Sequence, residues 1–355
     1  MTESLETICS YRNEKASAAS ITAEDLYVST ESMGSNRGGV SRTASVPSEG
    51  KVSCFRKGDT LVSNIRPYFK KIWNADIDGY CSNDVLVFQP SQRCSADYLY
   101  WLLCDDAFFD YVMATSKGTK MPRGDKSAIM SYAIPSNSEM AQRNIASILA
   151  PIQAKIEMNA KLNGYLEELV SLMFDRLIEN RTETVPFSTY AKISSGKRPP
   201  IKSPNYTDEC VFPLFGATSQ MGYTSEYLTD EKLLVIGRVG THGVVQRVNG
   251  KAWPSDNTLV IRSKHYETAS QLLQRVDYSS LNRGSTQPLI TQGDLKAYEV
   301  PFINTSSLER FENQSSRLMA LYDYNCAEST KLAELRDTLL PRLMSGEIDV
   351  SEVPF

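Results

Sequence analysis

Apolar residues between positions 142 and 180 recur at alternating steps of four and three. Ile145, Ile152, Leu166 and Met173 hold one heptad position, and Leu149, Ile156, Val170 and Leu177 hold the other. This spacing lines them up as one stripe of a helix that packs lengthwise against a second helix. Asn159 and Asn163 interrupt the stripe with amides. A buried amide in such a seam costs stability and fixes register, provided a partner amide faces it. Pro151 also lies in the run. It predicts a kink or restart, with 142–150 as a short first segment and Pro151 in the first turn of the long one.

The pattern returns 166 residues later. Ile145 falls on Phe311, Ile152 on Leu318, Ile156 on Tyr322, Asn159 on Asn325, Leu166 on Leu332 and Met173 on Leu339. The run ahead of the helix matches at the same offset, with Gly118, Pro122, Tyr132, Ile134 and Pro135 on Gly284, Pro288, Tyr298, Val300 and Pro301. A fixed offset through loop, strand and helix marks a tandem duplication. The expected fold class is α+β: two repeated α/β domains separated by two long antiparallel coiled-coil helices. The domains are placed at 1–140 and 181–303, the helices at 141–180 and 304–346, and a short acidic tail at 347–355. Ile145, Ile152, Asn159, Leu166, Leu318, Asn325 and Leu332 represent the expected seam. The second stripe is more polar, since Ser315, Ser329 and Arg336 stand where the first has Leu149, Asn163 and Val170, and Pro341 breaks its helix.

Inside the domains, strands are expected at 26–30, 55–65, 79–88 and 129–135, and a helix at 96–113 whose aromatics serve the core rather than base stacking. The second domain is expected to hold strands at 211–215, 233–236 and 244–248. Its PSDNTLVI (254–261) parallels CSNDVLVF (81–88).

Composition narrows the function classes. Hydrophobic content of 41% and charged content of 23% suit a soluble globular protein. A net charge of −4 argues against coating nucleic acid by bulk charge, but leaves room for local basic clusters. No apolar run is long enough to span a membrane, and the N-terminus lacks the apolar core of a signal peptide. Seven cysteines without a CxxC pair read as reduced thiols, so a cytoplasmic location is expected. With His242 and His265 the only histidines, no metal site is expected.

No catalytic residues can be assembled. There is no GxxxxGK[ST] loop, HExxH, GxSxG elbow or tetrapeptide of the adenine-methyltransferase kind. GRVGTHG (237–243) reads as a tight hairpin turn better than as a dinucleotide loop. The basic loops carry more. Lys117, Lys120, Arg123 and Lys126 lie together in the first copy, and Lys192, Lys197, Arg198 and Lys202 in the second. Arg238, His242 and Arg247 fall on the hairpin. Arg66, followed by Lys70, and Arg238 each come after a short apolar strand of the same sub-block. Cations on glycine-rich loops reach phosphates, arginine reads guanine edges, and Gln220 and Gln287 have the chemistry to read adenine. The candidate DNA-binding set is Arg66, Lys70, Lys117, Lys120, Arg123, Lys197, Arg198, Gln220, Arg238 and His242.

Several of these segments resemble one family. IPSNSEMAQRNIASILAPIQAKIEMNAKLNGYLEEL (134–169) is similar to the first spacer region of the specificity subunits of type I restriction–modification systems, and LRDTLLPRLMSGEI (335–348) to their C-terminal ending. VPFSTYAKISSGKRPP resembles the start of a second target-recognition domain, and GDTLVSNIRPY and VIGRVGTHG resemble strand–turn segments within such domains. The resemblance covers the whole chain. It implies that each domain reads one half of a split sequence in double-stranded DNA while the helices set the gap. A helix of about 30 residues is about 45 Å long, a little more than one DNA turn of about 34 Å. It also implies a non-catalytic adaptor without a cofactor of its own. Two modification subunits would supply S-adenosylmethionine-dependent adenine methylation, and restriction (nuclease–translocase) subunits can join them. The more polar second stripe predicts a helix pair that needs the modification subunits for full stability. Two other readings stay open: a coiled-coil scaffold whose domains bind protein, and an enzyme acting alone that itself binds S-adenosylmethionine.

Overall fold

The computed structural model describes residues 2–41, 45–118, 120–283 and 288–350. It comprises two compact units, Met1–Asn159 with Ala327–Phe355, and Ala160–Cys326. Each long helix is one continuous element of 40 residues, Glu139–Ile178 and Thr305–Met344, and each contributes to both units.

In the first unit, one antiparallel sheet runs in the order Cys9–Tyr11, Val85–Pro90, Thr60–Ser63, Ile72–Asn74. A second runs Lys15–Ser17, Lys51–Phe55, Gly79–Cys81, Tyr27–Val28, its last pair parallel. The predicted helix at 96–113 is two helices, Ala96–Cys104 and Asp106–Ala114. Asp105 divides them because it sits in extended backbone and its carboxylate caps the second by accepting from the Ala107 N–H. Their aromatics are core, as expected: Phe108 packs edge-on against Phe88 and Phe109. Ile145, Leu149, Leu340, Leu343 and Met344 of the long helices close the same core. Of the expected tail at 347–355, residues 351–355 lie outside the described residues and the part before them joins this core. Ile348 and Val350 pack there, and the Val350 carbonyl accepts from Asn144 at 2.7 Å.

The second unit repeats this plan. Its sheets run Lys192–Ser195, Thr258–Arg262, Leu233–Gly237, Gln246–Val248 and Gln220–Thr224, Phe212–Phe215, Lys251–Pro254, Thr229–Asp230. Each unit also has a two-stranded ribbon, Thr2–Ser4 with Ala133–Pro135 in the first and Thr184–Pro186 with Glu299–Pro301 in the second. Fully buried Leu5 and Phe187 follow the leading strands.

The heptad stripe is covered as expected. Ile145 and Leu166 are buried, and Ile152, Leu318 and Leu332 are half-buried. The prolines do not interrupt either helix. Pro151 and Pro341 lie on the solvent face, where the carbonyl each leaves unbonded can meet water.

The amides pair differently from the repeat equivalence. In the first unit Asn159 donates to Glu328 at 2.8 Å and to Ser329 at 3.1 Å, and Lys155 meets Glu328 at 3.0 Å. In the second unit Asn325 donates to Asn163 at 2.9 Å. Antiparallel pairing sends each amide to the partner of its equivalent. Under the 166-residue offset Asn159 maps onto Asn325 and Asn163 onto Ser329, so the two couplets are one couplet used twice. The polar positions of the second stripe also find partners. The Ser315 hydroxyl donates to the Phe311 carbonyl, and Arg336 donates to Gln153 and Asp337.

In the second unit a buried ionic cluster ties the sheet to the second long helix. Arg247 meets Glu267 at 2.7 Å and Asp323 at 3.3 Å and lies over the Tyr266 ring. Burial opposes its charge, but the hydrogen bonds and charge of Glu267 win and raise its proton affinity. Glu267 is 2% exposed. Arg247 is therefore structural and leaves the basic hairpin cluster expected from sequence. Strand alternation turns it away from its neighbour Gln246.

Two stability changes follow. Asn163→Ala removes an acceptor from Asn325 inside a buried seam and is expected to cost about 1–3 kcal/mol in urea unfolding. The double change to leucine at 163 and 325 is expected to recover most of that loss, and a single change without effect would refute the coupling. Arg247→Ala leaves the Glu267 carboxylate with Lys232 as its ion partner among the described residues, and is expected to cost about 3–5 kcal/mol, read from the same denaturation curves.

Candidate nucleic-acid interface

The expected cations gather where the central strand of each first sheet ends. In the first unit Thr60–Ser63 runs into Asn64, Ile65 and Arg66. The Asn64 N–H donates to the Asp84 carbonyl, the Asn64 carbonyl accepts from Gly124, Ile65 bridges Arg123, and the Arg66 N–H donates to the Pro122 carbonyl at 2.9 Å. The basic loop is thereby stitched beside the strand end. Lys117 and Arg123 close it by exchanging both backbone hydrogen bonds.

This brings Arg66, Lys117, Lys120 and Arg123 together. Lys117 is 81% exposed and pairs with Asp125, whose carboxyl that hydrogen bond and two backbone N–H groups hold below the usual range. Arg123 meets Asp84 at 3.1 Å. Lys70 meets Asp106 at 2.8 Å; burial works against that carboxylate, yet Lys70 and Arg37 keep it below the usual range. Arg66 and Lys120 are exposed and make no ion pair or side-chain hydrogen bond among the described residues.

In the second unit the Arg238 N–H donates to the Asn257 carbonyl, the Arg238 carbonyl accepts from Ile290, Val239 bridges Leu289, and the Gly240 N–H donates to the Pro288 carbonyl. This ladder matches that of Asn64, Ile65 and Arg66 step for step. Arg238 is thus the counterpart of Asn64, and Arg66 that of Gly240; Arg66 and Arg238 each follow the expected strand, but two residues apart in register. The GRVGTHG segment does join antiparallel strands, through a loop from Arg238 to Val245 rather than a tight turn.

Around Arg238 lie several polar groups. Its Nη1 is 3.5 Å from the Ser195 hydroxyl, which also accepts from Gln292 at 2.8 Å. His242 Nδ1 is 3.2 Å from the Gly237 carbonyl. Gln246 donates to the Gly216 carbonyl at 2.8 Å and so holds the loop that leads to Gln220. Arg238 Nε, His242 Nε2 and Gln246 Oε1 are buried atoms without a hydrogen-bond partner among the described residues, as is Asn64 Oδ1 in the first unit.

Lys197 and Arg198 are exposed and unpaired among the described residues. Their loop is held at both ends. The Lys197 carbonyl accepts from Trp253 Nε1 at 2.7 Å, and Ser203 exchanges two backbone hydrogen bonds with Tyr223. That second clamp needs Gly222, because a Cβ there would lie 2.2 Å from the Ser203 carbonyl oxygen. A groove of about 460 Å³ lies between, lined by Arg198, Lys202, Met221, Ser255, Asp256 and Asn257. Exposed Gln220 stands on the clamped strand and donates to the Gly222 carbonyl. Gln287 and Gly284 lie outside the described residues.

Asn64, Ser195, Gln246 and Gln292 were missed as site residues. The first was legible only from strand register; Ser195 and Gln246 sit two and one residues from the named Lys197 and Arg247, and Gln292 five from Gln287, without a charge to mark them.

Exposed cations beside amide and hydroxyl donors suit phosphates and base edges better than bond-making chemistry. Among the described residues no three His, Cys, Asp or Glu side chains are grouped to hold a metal. No helix among them is long and apolar enough to cross a membrane.

Comparison with known proteins agrees with this geometry. Residues 178–306 match the model of the type I restriction modification DNA specificity domain. The type I restriction enzyme HindI specificity subunit of Haemophilus influenzae is 26% identical over 141 residues, 38% of this chain, and the match spans only 30% of that subunit's length. The type I restriction enzyme MjaIX specificity subunit of Methanocaldococcus jannaschii is 22% identical over 312 residues, 74% of this chain and 72% of that one. The crystal structure of the type I restriction–modification S subunit from M. genitalium superposes with a TM-score of 0.59 at 15% identity, over 97% of this chain and 96% of that one, and so shares the fold. With its duplicated domains and paired long helices, the chain shares the fold of a type I S subunit and is similar to type I specificity subunits, and its residues 178–306 match their DNA specificity domain.

Proposed function

We propose that this chain directs a methyltransferase complex to a split DNA target, each domain reading one half while the helix pair sets the gap. One observation carries the reading: both repeats place a cation beside uncommitted polar atoms on loops of one register, exposed Arg66 with Asn64 in the first and half-buried Arg238 in the second. Phosphate neutralisation supplies most DNA affinity, and a few such cations per domain suffice for it. The chain itself does no chemistry on this reading. Two modification subunits bring S-adenosylmethionine and transfer the methyl group to adenine, and restriction subunits join when cleavage is required. In the second unit Leu162, Tyr165, Leu169 and Leu172 form an exposed apolar stripe at heptad spacing on the first long helix, a face suited to a partner's helix.

Adenine methylation mapped across the genome of cells carrying this chain and its modification subunits is expected to show a split motif with a fixed gap. The motif should vanish when the chain is deleted. Unchanged methylation, with the modification subunit shown active through another specificity subunit, would refute the proposal. In titrations of the purified complex, Arg198→Ala is expected to weaken binding and reduce the slope of log K against log salt by about one, with melting temperature unchanged. An unaltered slope would remove Arg198 from the interface.

A further inference from the structure

We propose that the turn Pro67–Phe69 of the first domain is a wedge that sets Tyr68 between stacked bases of the target duplex. This rests on the DNA-reading function above and adds the mode of contact.

Backbone strain locates the site. Five non-glycine residues among those described have left-handed backbone. Four of them meet here: Asn36 (φ 52°), Arg37 (62°), Arg66 (51°) and Lys70 (49°). Arg66 and Lys70 bracket the turn. The Asn36 N–H donates to the Phe69 carbonyl at 2.8 Å, and the Arg37 N–H to the Lys70 carbonyl at 3.0 Å. The buried Arg37 guanidinium is held in turn by the Cys104 carbonyl and Asp106. Lys71 reaches the Thr30 carbonyl at 2.7 Å. Strained backbone survives where its surroundings over-determine it, and it clusters at ligand-gripping sites.

The second domain shows that the fold does not require this strain. Leu61 pairs with Trp73 as Val235 pairs with Gln246, so Lys70 falls on Gly243. Arg66 falls on Gly240 by the ladder described above. Both glycines are left-handed too, at 83° and 86°, where glycine meets no steric penalty. The first domain therefore keeps two cations at positions where glycine serves its twin.

The bracketed turn presents an apolar tip. Tyr68 is 48% and Phe69 37% exposed, with ring centroids 4.7 Å apart. Exposed Met121 precedes Pro122, whose carbonyl holds Arg66. Arg66, Lys120 and Arg123 stand on the same stitched loops. An apolar tip rimmed by cations complements a duplex, where phosphates flank a base step. Apolar side chains inserted at such a step partly unstack it and bend the helix, and stacking on an aromatic ring tolerates any base.

The test uses the full chain assembled with its modification subunits. The probe is a duplex carrying the mapped target, with 2-aminopurine replacing single bases through the half-site that changes when residues 1–140 are exchanged. Unstacking brightens 2-aminopurine, so the native complex is expected to raise the signal several-fold at one step. Tyr68→Ala should abolish that rise and weaken binding about ten-fold or more, and Tyr68→Trp should restore both. Arg66→Gly relieves strain, so it should keep or raise the melting temperature while weakening binding. A native complex that binds without a rise at any position overturns the wedge and leaves the reading function standing. So does a Tyr68→Ala complex that binds, unstacks and methylates like the native one. A native complex with no preference for the mapped duplex overturns both.

Discussion

Coverage of two apolar stripes, each on a helix of 40 residues, is the constraint on which both units depend. Helix propensity alone does not hold such an element in water; its stripe has to be covered. Apolar residues supply the attraction but not the register. Register comes from amides, Asn159 with Ser329 and Glu328 in the first unit and Asn163 with Asn325 in the second. Leu318 and Leu332 lie seven residues either side of Asn325. A slip of one heptad would set Asn163 against a leucine and strand a buried amide, at about 1–3 kcal/mol. The polar couplet thus gives a sticky stripe a single register.

The same duplication shapes the domains. Each first sheet offers a central strand whose end is stitched to a loop that precedes the long helix by way of the ribbon strand. The ladder of backbone hydrogen bonds is common to both copies, and the side chains on it are not. A fixed ladder with exchangeable side chains is what separate reading of two half-sites requires, since the frame holds while the contacts vary.

How much of this was legible follows from what each signal measures. Heptad spacing reports on a stripe, so the long helices and their buried faces were readable. Offset comparison reports on equivalence, not on contact. It therefore linked Asn159 to Asn325, whereas antiparallel pairing joins Asn325 to Asn163. It also assumes equal loops. The copies are displaced by 166 residues at the long helices, by 174 at Arg66 and Gly240, and by 182 at Thr2 and Thr184. That drift hid the leading ribbon strand and the two-residue step in register between Arg66 and Arg238. Charge was the least faithful guide. Arg247 looks like a surface cation in sequence, yet Glu267 and Asp323, distant along the chain, bury it. Pro151 and Pro341 look like breaks, yet each faces solvent, where the missing hydrogen bond costs least.

The two strand-end loops solve one problem by different chemistry. In the second domain Gly240 and Gly243 turn the chain without strain, and Arg238 Nε, His242 Nε2 and Gln246 Oε1 have no hydrogen-bond partner among the described residues. Unpaired donors and acceptors in a partly dry site discriminate strongly, because a wrong base leaves them unpaired. In the first domain the same turn is held by Arg66 and Lys70 against their backbone preference and lifts Tyr68 and Phe69 into solvent. An aromatic tip has little hydrogen-bonding code to offer, and what it senses is how readily a step opens. On one scaffold, the second half-site would then be read by edge chemistry and the first in part by deformability. The strain at Arg66 and Lys70 is the physical trace of that division, because only a side chain needed for its own contacts has reason to stand where glycine would be easier.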